Sequence, residues 1–552
     1  MPNVNRRQVV VGLLGLPVAL LTLPGGLQAA GQSYFIHGVA SGDPTHDSVV
    51  LWTRIEADQP VDVAWELAQD EGFRKIVRQG VFSTNLHRDY TVKVVADQLK
   101  QGTAYFYRFT HNGVRSVTGR TRTMPTGSLN RLCIALVSCS NYPFGYFNGY
   151  AAIASDEAVE YVLHTGDYIY EYAADGWGGT TARQIGREHK PANEIVSLSD
   201  YRQRHAQYKR DAGSLAMHAA KPLLALWDDH ESANNPWSGG AQNHQANEGV
   251  WAHRRSASLR AYYEWMPIRD PAPGQDPASL WRNYVFGDLA SLITMETRHT
   301  ARAKQINYSD HMASIKTQED ARRFEREVLG APDRLMISAQ MAEFVTSALQ
   351  SSLKSQQPWR LIGNAIPMAK IRVPDVSAQG ISMPVSESVV PGAQADLVWK
   401  GKYNLPFYLD TWDGYPWARE AFFDLCRNAG AADLLVLTGD SHSFWANELQ
   451  DDNSRKMGIE IGTAGISSPG DFLESGFDKD TALQLDQLFA QQNKEVRWTD
   501  NFHQGYVRIE FNRESAQATY LAVSTVLEPE YTVSTVRSEI IRHQNGSLAY
   551  DE

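Results

Sequence analysis

Cysteine is scarce. Cys133, Cys139 and Cys426 are the three in a chain of 552 residues, too few for a scaffold built on disulfides. Basic runs are missing as well: 52 Lys and Arg stand against 63 Asp and Glu, for a formal charge of −11. With no Lys- or Arg-rich stretch, no surface is expected to track a nucleic-acid backbone. The chain also lacks a second long apolar run, since no stretch of about 18 apolar residues comes after the first thirty, so no stable membrane anchor is expected. What is present is a globular composition, 43% hydrophobic and 21% charged with 41 Gly, 24 Pro and 14 Trp, which excludes bulk disorder. At about 100–200 residues per domain the length predicts one large domain plus a smaller one, or three. A monomer is expected.

Residues 1–30 read as an address. Arg6 and Arg7 precede an apolar run from Val9 to Leu27, and nothing charged appears until beyond Ala30. Pro17, Pro24, Gly25 and Gly26 interrupt that run, which favours an export signal over a retained span. Arg6-Arg7-Gln8-Val9-Val10 resembles the twin-arginine signal, whose route carries folded proteins and suits a metal loaded in the cytoplasm. The twin-arginine export machinery is therefore an expected partner. The cut is placed near Ala30, giving an acidic periplasmic or secreted protein.

Two patterns divide the rest. Over residues 33–127 the strand signals are Val49 to Thr53, Val61 to Trp65, Tyr90 to Val95 and Ala104 to Phe109, with Asn112-Gly113 as a hairpin turn. This predicts a β-sandwich of about 100 residues, a scaffold or substrate-side cover without clustered acids or histidines. After Pro125 to Ser128 come buried-strand runs separated by long polar or helical segments, as in an α/β layer: Leu132 to Val137, Tyr161 to His164, Leu223 to Trp227, Leu289 to Met295 and Leu434 to Leu437. The first ends at Ser138-Cys139-Ser140, the second at Thr165-Gly166-Asp167-Tyr168-Ile169-Tyr170, the third at Asp228-Asp229-His230-Glu231 and the last at Thr438-Gly439-Asp440-Ser441-His442. Ligands of α/β sheets sit outside the carboxyl ends of strands, so distant segments deliver thiol, carboxylate, phenol and imidazole to one edge. One such motif is as readily a helix cap or solvated turn. Four together would repel one another and resist desolvation unless cations compensate, which makes metal binding the simplest reading. Two hard cations bridged by a carboxylate would hold a phosphate ester and generate a hydroxide nucleophile.

The same blocks carry a resemblance. Gly166-Asp167-x-x-Tyr170, Asp229-His230-Glu231 and Gly439-Asp440-x-His442 are similar to the ordered GDxxY, GNHE and GHxH blocks of the calcineurin-like, or purple acid phosphatase-like, metallophosphoesterases. Within that group, Ser138 to Phe147, Gly166 to Glu171, Trp227 to Glu231, Gly439 to Trp445, Gly38 to Arg54 and Trp412 to Tyr415 closely resemble the alkaline phosphatase D family, over nearly the whole mature chain. The resemblance implies an α/β fold in which a four-layer α/β/β/α catalytic domain, residues 130–525, comes after the sandwich, with 526–552 as a C-terminal tail. It implies ferric iron, Fe(3+), and calcium, Ca(2+), as cofactors and a phosphate ester as substrate.

Carried over by position, Cys139 stands where the wider superfamily has its first acidic ligand, and Cys139 and Tyr170 would bind iron, both being strong donors to a ferric ion. Asp167 would bridge iron and calcium. Asp229, in the Asn place of GNHE, would bind the second metal, and Asp440, in place of the first His of GHxH, shifts from nitrogen to the oxygen that calcium prefers. His442 would complete the iron shell. His230 would donate a proton or hydrogen bond to phosphate or leaving group. Arg298, in Glu296-Thr297-Arg298 where the family more often begins with Asp, is a candidate phosphate contact and equally a salt-bridge partner.

Blander readings stand beside these. Cys139 is otherwise a core thiol, since Cys133 lies roughly 20 Å away along an extended strand, too far for a bridge, and Cys426 has helical spacing with Phe422, Phe423 and Leu425. Tyr170 could pack beside Tyr168 and Tyr172. Asp228 reads as a partner for an Arg and His164 as a satisfied histidine. Asn234 and Asn235 cap a turn or give oxygen to calcium, and the insertions bearing Trp177 and Trp237 could wall the cleft. The expected function is an exported metal-dependent phosphoesterase cleaving mono- or diesters by attack of a metal-bound hydroxide. The alternatives are a phosphodiesterase acting on lipid head groups or wall polymers, and a non-catalytic metal-dependent wall or glycan binder.

Overall fold

The computed structural model describes residues 34–381 and 392–551. The expected signal segment, residues 1–30, lies outside the described residues. Two large sheets carry the fold. The first has ten strands in the order Ser547–Tyr550, Val533–Gln544, Ser515–Val523, Gly505–Phe511, Leu132–Val137, Tyr161–His164, Leu223–Ala225, Val39–Gly42, Val49–Arg54 and Thr91–Ala96. The second has seven: Asn283–Phe286, Ala290–Thr294, Trp359–Gly363, Leu434–Thr438, Lys456–Gly462, Phe444–Gln450 and Val496–Asp500.

Strand periodicity explains their stacking. Leu132, Ile134 and Leu136 point to one face of their strand and share a core with Leu292, Leu361, Val436 and Ile459 of the second sheet. The alternate residues Cys133, Ala135 and Val137 face the other way, onto Tyr150, Tyr201, Tyr208, Met217 and Tyr262 of the helices Asn148–Ser155, Leu198–Lys209, Ala212–Ala220 and Trp251–Trp265. The outer face of the second sheet is covered by Ala339–Lys354 and Pro416–Ala429, through Val345, Leu349, Phe422 and Phe423. The result is an α/β/β/α stack. Cys426 is buried in it, and all three cysteines are free thiols.

The N-terminal region is a sandwich with a shared wall. Ile76–Thr84, Val61–Ala68 and Ala104–His111, with Val114–Arg115 and Gly119–Arg122 on the last, form a five-stranded sheet. Its Val63, Leu67, Tyr105 and Tyr107 pack on Val39, Val49, Leu51, Val92 and Val94. Those partners belong to the end of the ten-stranded sheet, joined to it where Gly42 lies parallel to Leu223. The hairpin at Asn112-Gly113 forms with φ of 48° and 78° at its two turn residues.

One boundary needs correction. The expected tail, 526–552, carries two strands in its described residues: Val533–Gln544 pairs along Ser515–Val523, and Ser547–Tyr550 then closes the sheet edge. The longer strand is mostly exposed, and Val533, Val536, Ile540 and Ile541 are its apolar residues, so it does not read as buried. Asn545-Gly546, both with positive φ, makes the hairpin turn. Among the described residues no helix is long and apolar enough to cross a membrane.

Candidate active site

The site begins where five parallel strands stop. Leu132–Val137, Tyr161–His164 and Leu223–Ala225 are parallel neighbours in the first sheet. Ala290–Thr294 and Leu434–Thr438 run parallel to the strand between them in the second. The chain turns sharply at the residues beyond them: Cys139, Asp167, Asp440 and His442 all have positive φ, between 53° and 63°. That region is costly for residues with a Cβ and collects at functional sites. Glycine precedes two of these acids because the strand ends approach closely. A Cβ on Gly166 would lie 2.3 Å from the Asp228 nitrogen, and one on Gly439 would lie 2.2 Å from Ser138 Oγ.

These turns bring the expected ligands together. Donor atoms of Cys139, Asp167 and His442 lie within 4.8 Å of one another, as do those of Asp167, Asp229 and His230, and those of Asp228, Asp229 and Asp440. Tyr170 places its hydroxyl 3.0 Å from Asp167 Oδ2 and 3.4 Å from His442 Nε2, while Cys139 Sγ is 3.4 Å from the same Asp167 oxygen. Asp167 is thus shared between a thiol–phenol–imidazole group and a group with Asp229 and His230, and Asp229 in turn joins Asp228 and Asp440.

The electrostatics are those of a site built for cations. Burial, then the neighbouring carboxylates, push the Asp167 and Asp440 carboxyls well above their usual range. Burial and Asp167 do the same to the Cys139 thiol and the Tyr170 phenol. Burial lowers His442 to about 3, leaving a neutral ring with a free lone pair. Asp229 goes the other way, because His230 and Arg298 outweigh its burial. Its Oδ1 is nonetheless buried without a hydrogen-bond partner, an orphan that a bound cation would satisfy. The donor set therefore fits two metal ions, one with sulfur, phenol and imidazole, the other with oxygens.

Arg298 is not in the cleft wall. Its side chain is fully buried, with Nε 2.5 Å from Asp228, Nη2 3.1 Å from Asp440 and 3.7 Å from Asp229, and Nη1 3.7 Å from Asp410. The strand that carries it ends behind the acids, so it serves as their counter-ion. This is the salt-bridge reading, and Asp228 is its partner. His164 is satisfied, with Tyr150 at 2.6 Å and the Gly166 N–H at 3.2 Å. Asn235 donates its backbone N–H to Asp229 Oδ2 at 2.8 Å, and Asn234 donates its own to Glu171 at 2.7 Å.

Two supports went unread in the sequence, and Trp177 adds a third contact from the insertion expected at the cleft. Glu171 bonds His230 Nδ1 at 2.7 Å. Glu231 accepts the backbone N–H groups of Asp167, Tyr168 and Asp228 at 3.1, 2.6 and 2.8 Å, tying two strand ends together. Trp177 stacks on His442 at 5.5 Å and on His230 at 6.3 Å between ring centres. Glu171 and Glu231 each sit next to a motif residue, which was the available signal. The cleft over these groups has a volume of about 690 Å³ and is walled by Trp177, as its insertion suggested, and by Tyr172, Tyr408, Asp410, Asp471 and Glu474, among others. The segment Ile466 to Gly470 reaches the site through Ser468, whose Oγ is 3.1 Å from the Tyr170 hydroxyl.

The PhoD-like phosphatase family model matches residues 134–520, and the model of that family's N-terminal domain matches residues 23–125. Alkaline phosphatase D of Bacillus subtilis (strain 168) is 32% identical over 532 residues, covering 93% of this chain and 82% of that protein. The solved structure of PhoD superposes with a TM-score of 0.75 at 30% identity, covering 95% of this chain and 94% of the other. With a site whose donors fit metal ions, the chain belongs to the PhoD-like phosphatase family, metal-dependent hydrolases of phosphoric esters.

Proposed function

We propose that the metals are ferric iron, held by Cys139, Asp167, Tyr170 and His442, and calcium, held by Asp167, Asp229 and Asp440. The observation that carries this is the place of Asp167, next to Cys139, Tyr170 and His442 on one side and to Asp229 and His230 on the other, with Asp229 in turn meeting Asp440. Thiolate and phenolate favour a ferric ion, whereas an all-oxygen set favours calcium. Bound there, the two cations would supply Lewis acidity toward the phosphate oxygens and toward water.

The chain's own groups do the rest. Asp167, Asp229 and Asp440 are fixed by backbone turns and by Arg298, so their charges are arranged before substrate arrives. His230 lines the cleft, and its Nδ1 is engaged by Glu171. Asp229, Glu171 and Asp167 favour its imidazolium against the burial that opposes it. It can therefore hold a proton at Nε2 for the departing alcohol. Trp177 covers both imidazoles and limits water on that side.

The cleft, about 690 Å³ in all, has room for diesters, which have a second alcohol to place, alongside monoesters. Comparing kcat/KM on nitrophenyl phosphate and bis-nitrophenyl phosphate tests this, and a strict monoester preference would remove the diester reading. Export by the twin-arginine route is part of the proposal, resting on Arg6, Arg7 and the apolar run after them. Replacing both arginines by lysine should leave the protein in the cytoplasm, and unchanged export would refute the route.

A further inference from the structure

The segment from Gly465 to Pro469 lies in no strand or helix of the stack, yet it is pinned against Cys139 and Tyr170. Gly465 pairs with Ser138 in a single parallel bridge, and the Ile466 N–H bonds the Ser138 carbonyl at 3.0 Å. The N–H groups of Ser467 and Ser468 both point at the Cys139 carbonyl, at 3.4 and 3.3 Å. The Ser467 hydroxyl donates to the Asn141 carbonyl at 2.8 Å. Ser468 is fully buried, and its Oγ lies 3.1 Å from the Tyr170 oxygen and 3.1 Å from the Cys139 carbonyl.

A serine hydroxyl has one proton to offer, and two acceptors compete for it. The Cys139 carbonyl has two lone pairs, with two N–H groups already aimed at them. The Tyr170 oxygen has the greater need. Among the described residues, the groups within hydrogen-bond reach of it are Asp167 Oδ2 at 3.0 Å, His442 Nε2 at 3.4 Å and Ser468 Oγ. The Cys139 sulfur also faces it, and cysteine ligates as a thiolate. An ionised carboxylate accepts and never donates, and a ligating imidazole nitrogen keeps its lone pair for the metal. A phenol that serves a ferric ion has given up its own proton. Ser468 is then the donor that remains to the phenolate. A hydrogen bond to a ligand atom draws electron density away from the metal, as hydrogen bonds to a ligating sulfur do when they tune a metal's potential.

We propose that Ser468 is a positioning residue whose hydroxyl donates a hydrogen bond to the phenolate of Tyr170, limiting how strongly that ligand donates to the iron and keeping the ion Lewis acidic toward phosphate. The inference rests on the iron assignment above and adds to it a residue outside the ligand set.

The test is optical and electrochemical, on metal-loaded protein. In Ser468→Ala the phenolate loses its donor, so the tyrosinate-to-iron band should move to longer wavelength and the ferric–ferrous midpoint potential should fall, at unchanged iron content. Ser468→Thr, which keeps the hydroxyl, should restore both. A merely structural role would alter folding or iron content and leave the band in place in the protein that still holds iron. The wild-type protein supplies a measurement that needs no variant to fold. In resonance Raman spectra taken in H2O and after full exchange into D2O, replacing the serine proton should shift the phenolate C–O stretch. A band unmoved in Ser468→Ala, a shift that Ser468→Thr fails to reverse, or a stretch indifferent to D2O overturns the proposal. Wild-type protein without a tyrosinate-to-iron band overturns it too, by removing the iron assignment beneath it, a result distinct from a band that Ser468→Ala leaves in place.

Discussion

Glu171 Oε2 lies 2.7 Å from Nδ1 of His230, and the same carboxylate is held by the Asn234 backbone N–H at 2.7 Å and by Asn243 Nδ2 at 2.8 Å. An ionised carboxylate only accepts, so Nδ1 carries the proton and Nε2 is the nitrogen left for chemistry. Glu171→Gln should lower kcat on an alkyl phosphate by about 10–100-fold with KM little changed. A nitrophenyl phosphate, whose leaving group needs little protonation, should lose much less. Equal losses on both substrates would show that Glu171 does not act through proton delivery.

Arg298 compensates Asp228, Asp229 and Asp440 from beneath the cleft. Arg298→Met should destabilise the protein by about 3–5 kcal/mol, because a buried carboxylate loses its partner. Urea denaturation of Arg298→Met and of the double variant with Asp228→Asn checks this. The second substitution should recover part of the loss if the Arg298–Asp228 pair is the reason.

Gly439 has no room for a methyl group, with Ser138 Oγ at 2.2 Å and Thr165 Oγ1 at 2.6 Å from an added Cβ. Gly439→Ala should cost about 1–3 kcal/mol through overpacking. It should also displace Asp440, so bound calcium measured by elemental analysis should drop while iron is largely retained. Equal loss of both metals would mean that the two groups of ligands move as one.

His205 is buried between Tyr168 and Trp265, with neither ring nitrogen hydrogen-bonded. Burial, then Lys209 and Arg204, keep it neutral and well below its usual pKa. Below about pH 6.5 the unfolded chain takes up a proton at this ring that the folded protein refuses, so stability is lost as pH falls through that value. His205→Phe should remove this loss. Relative to wild type, the variant should gain about 2 kcal/mol between pH 8 and pH 5, read from denaturation midpoints at the two pH values. A parallel pH response in both proteins would refute it.

The site was largely legible because it lies at strand ends. Leu132 to Val137 and Leu434 to Leu437 are uninterrupted apolar runs, and each gives way to a turn bearing chemically conspicuous side chains. The structure gathers Cys139, Asp167, Tyr170, Asp229, His230, Asp440 and His442 into one place. Arg298 was ambiguous because a strand-end arginine reads alike whether it points into the cleft or behind it, and only the packing of Asp228 decides. Asp471 and Glu474 were invisible for another reason: their strand-free segment meets the cleft through tertiary packing. The four-layer stack came from the resemblance, whereas the strand Val533–Gln544 was missed because its mostly polar, exposed sequence looks like solvated chain. The sheet shared by the sandwich and the catalytic layers rests on one short parallel contact at Gly42 and Leu223, which leaves no periodic trace.

The central claim is a mixed iron–calcium centre organised on Asp167, and the most direct measurement is metal content with visible absorbance on protein purified without chelators. The account predicts about one equivalent of iron, at least one of calcium, and a violet tyrosinate-to-iron band that disappears in Tyr170→Phe. Zinc or manganese without colour would contradict the iron assignment to Cys139 and Tyr170, and absence of any stoichiometric metal would contradict the account as a whole.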